Sequence, residues 1–302
     1  MFGVNFADRL DAAIARKGCP ILLGIDPHLD LLPPEFEIAR DPARPRAERA
    51  RWVERFCVEL IDLAADIVPA VKPQSAFFEQ LGADGVAAFE RVIDHARYKG
   101  LLVVGDVKRG DIASTAAAYA RAFLAPDNLQ DSGRCDAVTL SPYLGEDSLE
   151  PFVDVCEKVA GGAFVLVRTS NPGGAAWQDA GDPSPAMRVA KAVDGFAKRT
   201  LGECGLGSVG AVVGATHARE LSGWRERMPR SFLLLPGYGA QGAGAADVVD
   251  AFLPGGRGAL IASSRGIAFA YRSGGGAAPD WKEAASRALD QMVQDLAGAL
   301  GR

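Results

Sequence analysis

Eight short apolar runs, each divided from the next by a stretch of helical periodicity, constrain the fold of this chain more than any other feature. The runs cover residues 21–26, 69–72, 101–108, 135–141, 163–169, 208–214, 231–235 and 258–263. Between them apolar residues return every three or four positions, as in Trp52, Phe56, Leu60, Leu63 and Ile67. Leu149, Phe152, Val153, Cys156 and Val159 make another such stripe, and Leu289, Met292, Val293, Leu296 and Leu300 a terminal one. Alternation of this kind builds a parallel sheet covered by helices. Eight repeats predict a closed (β/α)8 TIM barrel of the α/β class rather than an open doubly wound sheet. No run leads directly into a GxGxxG turn, so a dinucleotide fold has no fingerprint here. A length of 302 residues would allow two average domains. Single α/β barrels reach this size, and neither linker nor internal repeat interrupts the pattern, so one domain over 1–302 is expected. Two connections, 27–45 and 171–185, are longer than plain barrel turns. Loops of that length are functional or disordered.

Composition narrows the function. The longest apolar runs, such as Ile21 to Leu23 and Phe232 to Leu235, are strand-sized, so no membrane span is expected. A net charge of −5 gives no general attraction to nucleic acid or anionic lipid. The N-terminus carries Asp8, Arg9 and Asp11 and lacks a signal-peptide pattern. Five cysteines, odd in number and without a CxxC, argue against a disulfide framework and a cysteine zinc site, and for the cytoplasm. The three histidines, His28, His95 and His217, show no convergent spacing, so no metal site is expected. Arginines number 25 against 8 lysines, and a lysine on an apolar strand therefore stands out.

Barrel enzymes place their chemistry at the C-terminal ends of the strands. Those positions hold Asp26, Lys72, Asp106, Lys108, Ser170, His217 and Arg265. Any one of them is explained by solvent beginning where a strand ends; charged groups at four of eight exits point to a shared polar mouth. Asp106 and Lys108 are two apart, so on a strand they face the same side, and Lys72 adjoins them from the neighbouring strand. Two lysines and an aspartate need a second carboxylate for balance, and Asp111 is available for it. Asp111 is also placed to cap a helix starting near Ile112, and both roles stay open. After the seventh run comes Pro236-Gly237-Tyr238-Gly239-Ala240-Gln241-Gly242, and after the eighth Ser264-Arg265-Gly266. Barrels bind phosphate with these two loops; glycines let backbone N–H groups approach the anion, and Arg265 adds a charge-assisted fork. The residues by themselves describe a phosphate-binding barrel with acid–base lysine chemistry.

Gly24-Ile25-Asp26-Pro27, Val71-Lys72-Pro73, the DxKxxD pattern of Asp106, Lys108 and Asp111, and Thr169-Ser170-Asn171-Pro172-Gly173 occur in this order, followed by the two loops just described. Nearly end to end, this set resembles the orotidine 5′-phosphate decarboxylase family in its longer bacterial type. The resemblance implies cofactor-free conversion of orotidine 5′-monophosphate to UMP and CO2 in pyrimidine synthesis. By position, it implies that Asp26 and Lys72 contact the ribose hydroxyls and that Asp106 lies near the scissile carboxylate. Lys108 would donate the proton to C6, and Ser170 would bind the pyrimidine. Gln241 and Arg265, with Gly266 beside it, would hold the phosphate. Asp111 and Thr115 would reach into the other subunit of a homodimer with shared sites.

Two rivals share the barrel. A metal-dependent sugar-phosphate decarboxylase or synthase has the same DxKxxD, but those relatives place a carboxylate where this chain has Lys72, whose charge repels a cation. A non-catalytic nucleotide-binding barrel is disfavoured by retention of Lys108 with both aspartates. His28, His217 and Trp177 receive no catalytic assignment; His217 opens a helix and is read as a rim residue.

Overall fold

Apolar residues on alternate positions of a strand bury one face against the barrel interior and the other against covering helices. The computed structural model describes residues 4–125, 133–215, 220–239, 244–273 and 280–302. Among them the runs become β1 (Ile21–Ile25), β2 (Ala70–Pro73), β3 (Leu102–Arg109), β4 (Ala137–Leu140), β5 (Gly162–Arg168), β6 (Gly207–Val213), β7 (Ser231–Pro236) and β8 (Ala259–Ser263). They pair in parallel in sequence order, and β8 pairs with β1 to close the barrel. The expected strands match the observed ones to within two residues at each end.

The period of two divides the core. Leu22, Ala70, Leu102, Val104, Ala137, Phe164, Val212, Leu234 and Leu260 form the interior cluster. Their strand neighbours Leu23, Val71, Val103, Val138, Val165, Leu233 and Ile261 pack outward under the helices. Lys72 is two residues beyond Ala70, Asp106 two beyond Val104, and Thr139 two beyond Ala137. The same parity that fills the barrel therefore brings these three polar side chains to its upper end.

The lower end is closed by the helix Phe6–Lys17. Asn5 caps it by accepting a hydrogen bond from the Ala7 N–H at 2.8 Å, and Gly18 ends it at φ 71°. Phe6, Leu10 and Ile14 join the interior cluster, and Phe6 meets Phe164 edge-on at 6.2 Å. Gly162 makes this approach feasible, since a Cβ there would lie 2.2 Å from Phe6 Cδ1. The strand–helix alternation does not predict this plug, because it precedes the first strand.

Both long connections carry structure of their own. Residues 27–45 include the 3-10 turns Leu29–Leu31 and Pro34–Ala39, pinned by Phe36 against Trp52, Phe56 and Trp281. Residues 171–185 include the helix Gly174–Gln178. All five cysteines are free, and burial pushes the Cys135 and Cys156 thiols up to about 12, leaving them unreactive.

Candidate active site

At the upper end of the barrel, Asp106 is 5% exposed and its carboxylate accepts four hydrogen bonds. Its Oδ2 receives Lys72 Nζ at 2.6 Å and Gln74 Nε2 at 2.9 Å. Its Oδ1 receives Lys108 Nζ at 2.5 Å and Thr139 Oγ1 at 2.8 Å. Burial alone would raise the Asp106 pKa, but the adjoining Lys72 and Lys108 ammonium groups outweigh it and hold the carboxyl well below the usual range. Burial likewise works against the charge on Lys72, and the Asp106 and Asp26 carboxylates reverse it, so Lys72 titrates above its ordinary value. The arrangement is a fixed carboxylate flanked by two cations, Lys72 largely buried and Lys108 half-exposed.

Lys108 owes its aim to an irregularity in the sheet. β3 and β4 pair Gly105 with Val138 and Arg109 with Leu140, so β3 carries two extra residues between those pairs. The strand bulges there, and Lys108 adopts φ 43°, a left-handed conformation unusual for a residue with a side chain. Its N–H donates to Thr139 Oγ1 at 3.0 Å.

Two cavities meet over this cluster, sharing Lys72 and Pro236 as walls. The larger, about 380 Å³, is bounded by Asp106, Lys108, Thr139 and Ser170 on its polar side and by Leu166, Val212 and Leu234 on its apolar side. The smaller, about 130 Å³, lies between Asp26, Tyr238, Ser264 and Arg265. Gly24 lets Ser264 lie close against β1, because a Cβ at 24 would stand 2.6 Å from Ser264 Cβ. Asp26 Oδ1 and Ser264 Oγ are buried atoms without a hydrogen-bond partner among the described residues. Unpaired buried polar atoms beside a cavity are suited to a polar ligand. Arg265 and Gly266 are exposed and begin the short helix Arg265–Ala268, whose first N–H groups have no intrahelical acceptor. An anion is the ligand such an end favours.

The structure thus brings Asp26, Lys72, Asp106, Lys108, Ser170 and Arg265 to one mouth. Gln241 and His217 lie outside the described residues. Asp111 and Thr115 do not join the cluster: Thr115 is exposed, and the Asp111 Oδ1 accepts from the Ile112 N–H at 2.8 Å. The capping role left open for Asp111 is not realised. The next helix, Ala113–Leu124, has Ile112 at its N-cap position and no side chain capping it. His28 packs against the Phe77 ring at 4.1 Å; burial, opposed by Asp26 and aided by Arg265, keeps its imidazole below the usual pKa. Trp177 is exposed and stands edge-on to Tyr143. Among the described residues no group of three or more His, Cys, Asp or Glu converges as a metal site would require.

Sequence reasoning missed Gln74, Thr139 and Arg168. Arg168 is buried, pairs with Asp179 at 2.9 Å and donates to the Thr169 carbonyl at 2.9 Å. Gln178 accepts from the Thr169 N–H at 2.8 Å and donates to Thr169 Oγ1 at 2.7 Å. Together they clamp the 171–185 loop onto the end of β5 and fix the chain entering Ser170.

Residues 24–275 match the family described as orotidine 5′-phosphate decarboxylase / HUMPS. The orotidine 5′-phosphate decarboxylase of Rhodopirellula baltica is 45% identical over 304 residues, covering 98% of this chain and 100% of its own. That of Petrotoga mobilis is 35% identical, covering 97% of this chain and 99% of its own. The solved structure of Leishmania donovani OMP decarboxylase superposes with a TM-score of 0.75 at 29% identity, covering 99% of this chain and 100% of that one.

Proposed function

Because the chain belongs to the orotidine 5′-phosphate decarboxylase / HUMPS family, we propose that it converts orotidine 5′-monophosphate to UMP and CO2 with Lys108 as the group that protonates C6. Relatives matched over nearly their whole length carry that activity in their names, which makes the chain a carbon–carbon lyase of pyrimidine biosynthesis.

The observation that carries the residue assignment is the asymmetry of the two lysines around Asp106. The Lys72 side chain is 9% exposed and its pKa is raised, so it keeps its proton. The Lys108 side chain is 45% exposed at the larger cavity, within reach of both a bound molecule and solvent. In the reaction, the bond between C6 and the carboxylate breaks, CO2 departs and the electron pair remains on C6. The Lys108 ammonium stabilises that charge more than it stabilises the ground state, then transfers a proton to C6. Solvent restores the proton to Lys108, and one proton is taken up per turnover.

Around this centre, Asp26 and Lys72 serve the ribose hydroxyls and Ser170 the pyrimidine. Arg265 and Gly266, with Gln241, serve the phosphate. Contacts to a phosphate distant from C6 supply binding energy that holds the reacting bond in place. The reading extends to assembly: Asp111 and Thr115, which stand apart from their own chain's cluster, serve the partner site of a homodimer. It also extends to the cytoplasm as location. Among the described residues no helix is long and apolar enough to cross a membrane, and five free thiols suit a reducing compartment.

The test is loss of orotidylate absorbance with purified protein, with and without chelator, beside a Lys108→Ala variant. Chelator-insensitive turnover by the wild type, and none by a folded variant that still binds UMP, is expected. A requirement for magnesium would favour the sugar-phosphate reading, which the Lys72 ammonium at the end of β2 opposes. Substantial turnover by Lys108→Ala would remove Lys108 as proton donor.

A further inference from the structure

Among the described residues, Thr139 is the one side chain that bonds both the Asp106 carboxylate and the Lys108 backbone. At the β3 bulge the strands lose register, and an amide in a bulge drops out of the ladder. The Lys108 N–H finds the Thr139 hydroxyl instead, and that hydroxyl donates its own hydrogen bond to Asp106 Oδ1. A hydroxyl has one proton and two lone pairs, so both bonds coexist with fixed direction. Asp106 Oδ1 also accepts from Lys108 Nζ. The hydrogen bonds therefore form a ring that begins at the Lys108 amide and returns to the Lys108 ammonium.

Thr139 is 2% exposed and lines the larger cavity where its polar side, Asp106 and Lys108, meets its apolar side, Leu166, Val212 and Leu234. Valine would fill the same space without desolvating a hydroxyl, so packing alone gains nothing from threonine here. Meanwhile φ 43° at Lys108 is a conformation that persists only where neighbouring contacts enforce it. The hydroxyl is such a contact.

We propose that Thr139 is a positioning residue, whose hydroxyl ties the left-handed backbone of Lys108 to Asp106 and so fixes the ammonium under the reacting carbon. The inference rests on the decarboxylase reading and on Lys108 as its proton donor. Thr139 does not line the cavity of Asp26 and Arg265, so its loss disturbs the chemical step and leaves the proposed ribose and phosphate contacts in place.

The experiment compares Thr139→Val, Thr139→Ser and Thr139→Ala with wild type, by steady-state decarboxylation and by calorimetric titration with UMP. Thr139→Val removes the hydroxyl at constant shape and is expected to lower kcat by about 10- to 100-fold, the worth of a hydrogen bond to a charged group. KM and the UMP Kd stay within about two-fold, the signature of an interaction that matters in the transition state. Thr139→Ser keeps the hydroxyl and recovers most of kcat. Wild-type kcat in Thr139→Val, or equal damage in Thr139→Ser, overturns the proposal, as does loss of UMP affinity in step with kcat. Should Thr139→Val not fold, Thr139→Ser and Thr139→Ala both lack the methyl and differ in the hydroxyl alone. A kcat at least about tenfold higher in the serine variant supports the role, and equality refutes it. A wild-type protein without orotidylate turnover is a separate outcome; it defeats the decarboxylase reading and this inference with it.

Discussion

Four donors on Asp106 exhaust what a carboxylate accepts, and they decide how this residue responds to acid. A carboxyl whose native pKa lies below its unfolded value binds its proton more readily once the chain unfolds. Its contribution to stability is complete above about pH 4 and is lost as pH falls through the native value. Lys72, raised in the native state, behaves oppositely, contributing fully below about pH 10 and less as pH rises beyond it. Urea unfolding of wild type and Asp106→Asn across pH should therefore show a stability difference that narrows below about pH 4. A difference unchanged down to about pH 3 would mean that Asp106 is not held ionised by its partners. At the other cavity, Arg265→Ala should lower kcat/KM for the phosphorylated substrate by about 1.5–3 kcal/mol, the worth of one charge-assisted contact. The slow reaction of the phosphate-free nucleoside should hardly change, and equal damage to both would make Arg265 a support of the fold. Lys72, Asp106 and Lys108 were legible in sequence because strand parity places charges where apolar residues would otherwise stand. Thr139 and Gln74 were not. Threonine is an ordinary strand residue, and Gln74 follows a strand end where polar residues are common.

At the scale of elements, the eight strands were legible because each is a short apolar run with a helical stretch behind it. The bulge in β3 was not, since Gly105 to Arg109 reads as a regular alternating strand and register is a property of two strands together. The plug Phe6–Lys17 was also invisible to strand counting, although Phe6, Leu10 and Ile14 lie at helical spacing. Its importance can be measured apart from the chemistry. Phe6 is 1% exposed against Phe164 and Gly162, so Phe6→Ala opens a cavity that should cost about 3–5 kcal/mol in urea unfolding. Because the plug and the mouth are at opposite ends of the barrel, KM at low temperature should match wild type. A raised KM in folded protein would show that the plug reaches the site. The clamp formed by Arg168, Asp179 and Gln178 belongs to this scale too. It joins a strand to a loop, and no motif in the chain announces that pairing.

For the whole molecule, the proposed sharing of sites makes a mixing experiment decisive. Lys108→Ala and Asp111→Ala proteins should each be nearly inactive. In a heterodimer one site collects both lesions, while the other receives intact Lys108 from one chain and intact Asp111 from its partner. Subunit exchange should then restore activity toward half of wild type per heterodimer. If mixed-tag purification proves exchange and activity does not return, Asp111 acts within its own chain.

The plug has a further consequence for traffic. Among the described residues, Phe6, Leu10 and Ile14 fill the floor of the barrel with packed side chains, so both cavities over Asp106 open toward the mouth. Substrate, CO2, product and the solvent that, in the proposed mechanism, recharges Lys108 would then all pass the same rim. A small gas escapes beside a nucleotide still anchored at the proposed phosphate site, but a second nucleotide cannot enter until the first has gone. Product and substrate therefore queue at one door, and UMP should act as a simple competitor for the empty protein.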